Sequence, residues 1–327
     1  MTTLESGKTP SRRLGDMALR LILKPEAGIA IVLVILAVII TIANPAFATP
    51  TNLLNLLRSV AIIGIVSVGM TYVMIVGELD LSVASTLALS AVTGALMTQY
   101  FIWPVAVALG LMTGVAAGMV NGLLVTKTGV NSFIITLGTL SVFRGLGLFE
   151  SEGIPVRGLE ELTPIGQGTI GPVPVQVVIL LAVVIVGQFV LSRTSLGIQI
   201  HAVGDNARAA RLAGLPVARL KIIAFALVGF LAALAGLIRT AQLGVAEPNA
   251  AVGLELQVIA ATVIGGASLA GGKGSVTGSL LGACLLGVMA NAFVLLRLSS
   301  FLQVIATGAI IILAAVFDRL RVKLWSA

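Results

Sequence analysis

The sequence predicts an all-α, polytopic membrane protein: about ten transmembrane helices, both termini cytoplasmic, and a faint internal repeat. Three observations carry this expectation. Of 327 residues, 58% are hydrophobic and only 10% charged, against about 25% charged in a soluble domain. Several apolar runs approach or exceed the about 20 helical residues needed to cross the hydrocarbon core of a bilayer. The net charge of +7 comes from basic residues clustered beside those runs. That pattern orients membrane proteins; it is not the continuous basic face that binds nucleic acid.

Taken in order, residues 1–27 form a polar, basic arm with Lys8, Arg12, Arg13, Arg20 and Lys24. The first apolar run, "AGIAIVLVILAVIITIA", ends at "NPAFATP". Ala46-Phe47-Ala48 has the small-x-small form of a signal-peptide cleavage site, but the long basic region and near-spanning apolar run favour an uncleaved helix. Further spans are predicted at 55–76, 81–98, 104–125, 131–149, 175–191, 220–240, 254–270, 275–296 and 301–318. An even number of spans places both ends on one side. The N-terminal arm, Lys127, the 192–219 loop, Lys273 and the tail at 319–327 share that side. The 150–174 loop opposite carries Glu150, Glu152, Glu160 and Glu161 against Arg157. The positive-inside rule therefore makes the termini and the 192–219 loop cytoplasmic and the 150–174 loop extracytoplasmic, around a transmembrane domain at 28–318.

Small residues indicate how the helices meet. Gly110, Gly114, Gly118 and Gly122 recur every four residues, as do Gly274, Gly278 and Gly282. Lipid gives helices little hydrophobic reason to associate, so close backbone approach must supply the packing. The segment "VMIVGELDLSVASTLALSAVTGALM" is echoed by "ATVIGGASLAGGKGSVTGSLLGACLLGVM". Each is an apolar run, a glycine-containing break and a helix rich in small residues, the form of the repeats found in transporters.

Charge inside the apolar regions is sparse. Glu78 and Asp80 sit in the break "GELDLSVAS", where a carboxylate needs water, a partner or a role. They could be wet at the cytoplasmic rim, bond the exposed backbone of a broken helix, or line a path. Asp80 and Ser82 could also cap the following helix. "GGASLAGGKGSVTG" is not a phosphate loop, because Ala267 stands where its first glycine belongs and Gly274 replaces the Ser or Thr after Lys273. No bound cofactor is expected, and any ATP must be used by a partner. The single Cys284 excludes an internal disulfide, and the single His201, read as a loop residue, excludes a His-rich metal site.

The stretch "HAVGDNARAARLAGLPVARLK" stands out because it is basic in a chain that avoids charge. Asp205 or Asn206 is a good N-cap, Ala207–Ala213 favour helix, Gly214 suits the left-handed position after it, and Pro216 ends it. A helix this short is marginal in water and persists only when docked. Anionic lipid could hold it through its arginines, but capping at both ends fits a rigid docking element better.

Four motifs then resemble one family in its own order: "GELDLSVAS", "FIITLGTLSVFRGL", "AVGDNARAARLAGL" and "VIAATVIGGASLAGGKGSVTGSLLGA". The chain, from about residue 30, resembles the permease subunits of ribose-type ABC sugar importers. The resemblance implies that Asp205, Asn206, Arg208, Ala209, Ala210, Gly214 and Leu215 belong to a coupling helix seated on a cytoplasmic ATPase subunit. It also implies an extracytoplasmic sugar-binding protein, a second copy or similar permease to complete the pore, and residence in the cytoplasmic (inner) membrane. Glu78 and Ala84 stand where the family pattern usually has glycine, whereas Asp80 and Ser82 match it.

Polar residues within apolar helices supply a candidate translocation route: Asp80, Ser82, Asn121, Thr136, Arg144, Glu255 and Asn291, with Thr139 and Gln303 as further polar positions. Arg144, near a helix end, could instead snorkel to the interface. Nothing in the sequence supports a membrane enzyme: it has no H-E-x-x-H, no plausible triad around the one histidine and no buried metal cluster. A proton-coupled carrier and a branched-chain amino-acid-type ABC permease are the competing readings. Substitution of Ala210 by Asp is expected to leave the chain folded and to uncouple it.

Overall fold

The computed structural model describes residues 25–299, 301–309, 312, 313 and 316. Most of the basic arm, all of the 319–327 tail and parts of the last predicted span lie outside the described residues. Among the described residues seven helices are long and apolar enough to cross a membrane. In chain order these are α1 (Pro25–Ala43), α2 (Pro50–Ile75), α4 (Trp103–Thr128), α5 (Ser132–Glu150), α7 (Val175–Arg193), α10 (Val217–Leu243) and α12 (Val276–Leu295).

Two predicted spans are shorter than expected. Helix α3 covers Val83–Met97 and α11 covers Leu254–Ile264. At 1.5 Å per residue they extend about 22 Å and about 16 Å, less than the hydrocarbon thickness. Each adjoins a backbone break. After α2, Gly77 takes φ +81°, a left-handed conformation that only glycine adopts cheaply. After α11 the break is the glycine-rich loop 265–275. The two breaks lie against each other: Gly272 N–H donates to Ile75 O at 2.9 Å. Residues 301–309 are helical, within the tenth predicted span.

Helices α2 and α10 form the centre of the bundle, each with 61% of its apolar window buried, whereas α1 has 6% and presents most of its surface outward. Tyr72, Phe225, Met70 and Met74 are among the largest fully enclosed side chains. The Tyr72 hydroxyl donates to Gly187 O at 2.5 Å, fastening α2 to α7. The glycine ridge of α4 lies on α10, so a methyl placed on Gly122 would stand 2.8 Å from Ile222 Cα. At Gly118 it would strike the Phe225 carbonyl. The second ridge, Gly278 and Gly282, lies equally close to the α11 backbone. Both are the tight packing that small residues allow in lipid.

Ala46-Phe47-Ala48 forms a 3₁₀ turn over Pro45–Ala48. Phe47 is buried there with Ile40, Val288 and Ala292, which joins α1 to α12. The 150–174 connection is more structured than a loop. It holds a short α6 (Thr163–Gln167) and an antiparallel pair, β1 (Thr169–Ile170) with β2 (Val173–Pro174). Likewise the 192–219 region is largely helical, with α8 (Ser195–Asp205) followed by α9 (Ala207–Leu212). His201 therefore sits on a helix, not in a loop.

Candidate functional site

Helix α9 is closed at both ends by its own sequence. At the start, the Asn206 side-chain oxygen accepts from Ala209 N–H at 2.9 Å. Asn206 is the cap; Asp205 is the last residue of α8. At the end, Gly214 N–H donates to Arg211 O and Leu215 N–H to Ala210 O, both at 3.0 Å. Gly214 itself has φ +84°. This pair of bonds is a Schellman closure, which satisfies carbonyls that a helix end otherwise leaves open. Pro216 then precedes α10 directly.

The two faces of α9 differ. Ala210 is buried, 5% exposed, within the main apolar core. Arg208, Ala209 and Arg211 face outward, and Leu212 is 84% exposed. The expectation for Ala210 therefore needs correction. An Asp at that position would enter the bundle's own packing, and it would test folding more than docking.

Helix α8 connects α9 to the two breaks. Gly204 lies directly against the Ile75 carbonyl and the Gly272 amide, with no room for a side chain. The His201 ring nitrogen Nδ1 pairs with Gly272 O at 2.8 Å. A displacement of α9 thus meets the end of α2 and the 265–275 loop through backbone-to-backbone contact. Beside it, Lys221 of α10 forms an ion pair with Glu78 of the α2–α3 break. The glutamate at the usual glycine position has a partner.

Asp80, Ser82, Asn121 and Thr136 come together in one buried cluster around that break. Asp80 is 2% exposed and the other three 0%. The Asp80 oxygen Oδ1 accepts from Ser82 N–H at 2.8 Å and Ser82 Oγ–H at 2.7 Å. Asn121 Nδ2 donates to Ser82 Oγ at 2.8 Å and reaches both Asp80 oxygens at 3.4 Å. Ser132 Oγ accepts from Leu79 N–H at 3.1 Å, and Thr136 Oγ1 donates to Ser132 O at 2.7 Å. Thr139 in turn bonds Thr136 O at 3.3 Å. The carboxylate thus holds the exposed backbone of the broken segment, with α4 and α5 as supports.

The other route positions lie toward the opposite end of the bundle. Arg144 Nη1 donates to Pro248 O at 2.9 Å and Ala250 O at 3.0 Å, and Glu255 stands in the first turn of α11 with its Oε2 buried and unpaired. It pins the connection between α10 and α11 instead of snorkelling. Asn291 pairs reciprocally with Asn52, at 2.8 Å and 3.0 Å, on the wall of a cleft of about 440 Å³. Sequence reasoning missed Asn55, Gln242 and Gln257 of the same cleft. Their spacing shows no helical stripe, because they belong to three different helices.

A family model described as the permease component of branched-chain amino acid transport systems matches residues 52–315. The chain belongs to this permease family. The matched residues begin in α2 and continue past the 301–309 helix, so α8, α9, both breaks and the cleft all fall within the match. The permease is 42% identical over 291 residues to the ribose import permease protein RbsC of Bacillus subtilis (strain 168), covering 88% of this chain and 90% of that one. The ribose import permease protein RbsC of Haemophilus influenzae is 39% identical over 298 residues, 88% of this chain and 91% of its own. The L-arabinose ABC transporter permease protein AraH of Azospirillum brasilense is 38% identical over 298 residues, 90% and 88% respectively. No solved structure matches.

Proposed function

We propose that this chain is the membrane-spanning subunit of an ATP-driven importer for a pentose or similar monosaccharide. It resides in the cytoplasmic (inner) membrane with both termini cytoplasmic, and it has no ATPase site of its own. The observation that carries the reading is the doubly capped α9, joined by α8 to both backbone breaks. A carrier driven by protons needs no such element. The substrate class rests on relatives named for ribose and arabinose, although the family model carries the name of branched-chain amino acids.

In this reading Arg208, Ala209 and Leu212 face a groove of a cytoplasmic ATPase subunit, while Asn206, Gly214 and Leu215 keep the helix rigid. A sugar-binding protein docks on the opposite face, and a second permease completes the pore. ATP binding draws two ATPase subunits together. Helix α9 passes that displacement through α8 to the end of α2 and the 265–275 loop. The bundle then changes between two packings, a biased equilibrium rather than a chemical step.

Purification of the tagged complex in mild detergent tests this. The wild-type chain is expected to retain an ATPase subunit, and Leu212→Asp to lose it at least about tenfold. The melting temperature of the permease should not change, because Leu212 is 84% exposed. Recovery of the wild-type chain without an ATPase, together with proton-driven uptake in vesicles, would overturn the reading.

A further inference from the structure

The cleft at the end of the bundle away from α9 has a lining that its role as packing does not require. It lies between the first half of α2, the end of α10, the start of α11, the end of α12 and the 301–309 helix. Its volume of about 440 Å³ is within the usual range for small-ligand sites. Five carboxamides line it, Asn55, Gln242, Gln257, Asn291 and Gln303, together with Arg239. Leu56, Ile62, Ile63 and Leu254 provide apolar surface between them.

Polar side chains in an apolar bundle normally find partners, because leaving them unpaired is costly. Asn291 does so with Asn52. Asn55 is exposed and Gln242 and Gln257 are half-buried at the cleft wall, and among the described residues none of the three side chains bonds another group of the chain. The Arg239 Nε is buried and also without a partner. A carboxamide both donates and accepts, as a hydroxyl does. None of the residues lining the cleft is acidic, so an amino acid would find no counter-charge there for its ammonium group.

We propose that this cleft is a binding subsite for a neutral, polyhydroxylated ligand of monosaccharide size. Asn55, Gln242 and Gln257 bond its hydroxyls, Arg239 donates to one of its oxygens, and the apolar residues take its C–H face. The proposal rests on the importer reading above and adds the place where the cargo is held. It places that site apart from the buried Asp80 cluster.

The test is uptake of labelled ribose and L-arabinose into proteoliposomes holding the complete importer, with ATP inside and loaded binding protein outside. Asn55→Leu and Gln257→Leu are each expected to slow uptake about tenfold, the scale of one or two lost hydrogen bonds. Co-purification of the ATPase subunit should be unchanged, because neither residue lies at the α9 end of the bundle. Uptake by the double variant within about twofold of wild type overturns the subsite and leaves the importer reading standing. Wild-type liposomes that move neither sugar sink both. Should the double variant not assemble, Asn55→Ala decides by the same criterion, since Asn55 is exposed and can be shortened without disturbing the packing.

Discussion

The two ends of the bundle are built on opposite principles. Around α9 the backbone is tied down: Asn206 and Gly214 close the helix, His201 bonds Gly272, and Gly272 bonds Ile75. At the far end, carboxamides border an open cleft and Arg239 Nε is left unpaired. One end has the backbone contact that a lever needs, and the other has unspent hydrogen-bonding capacity that a ligand needs. Polar residues in a membrane protein therefore do not form one class, and composition alone does not separate them.

The largest expected effect comes from filling glycines at the two ends. Gly204→Ala would drive a methyl into the backbone of Ile75 and Gly272, neither of which can turn aside. Gly287→Ala, on the cleft wall, would meet a methyl of the buried Val60, a side chain that costs less to displace than backbone. We expect Gly204→Ala to abolish assembled permease, a cost above about 3 kcal/mol, while Gly287→Ala lowers the melting temperature by only a few degrees. Detergent-solubilised yield and thermal melting measure both. Equal tolerance at the two positions would break the contrast.

This contrast was partly legible in the sequence. The caps of α9 and the glycine ridges could be read directly, because each rests on contacts within a few residues or on a simple repeat. Helix α8 was missed because "SLGIQIHAVGD" is short, half polar and lacks a spanning run. The shortness of α11 was missed for the opposite reason: apolar residues continue past Gly265 and Gly266, which end it, whereas α3 falls only three residues short of its predicted span. The Asp80 cluster unites α3, α4 and α5, and the cleft unites four helices and the 301–309 segment. Such pairings across the chain have no local signature. Arg144 shows the limit well, since its position left both a place on the route and snorkelling open, and the structure gives it two backbone carbonyls in the α10–α11 connection.

A middle-sized effect compares two asparagines. Asn121 is fully buried and serves the Asp80 carboxylate and Ser82. Asn291 is half-buried and pairs with another amide. Replacing Asn121 by Leu leaves the buried Asp80 side chain short of a donor and should cost about 2–3 kcal/mol; Asn291→Leu should cost about 1 kcal/mol. Melting of the purified complex reads the difference. A larger loss at Asn291 would mean that the cleft wall, not the Asp80 cluster, holds the bundle together.

The smallest effect concerns the Glu78–Lys221 pair. It joins the α2–α3 break to the start of α10, with side-chain exposures of 11% for Glu78 and 20% for Lys221. The pocket beside it also receives Arg211, so the glutamate neutralises one charge in a basic neighbourhood. A pair on this rim keeps some hydration, which lowers both its attraction and its desolvation cost. A double-mutant cycle with Glu78→Gln and Lys221→Met should give a coupling of about 1 kcal/mol, weakening as salt is raised. Uptake should change less than stability, because rigidity at this end comes from backbone contact. A coupling above about 3 kcal/mol would place the pair among fully buried charges. The glutamate would then be a main fastener of the α9 end, and the glycine contacts would be secondary to it.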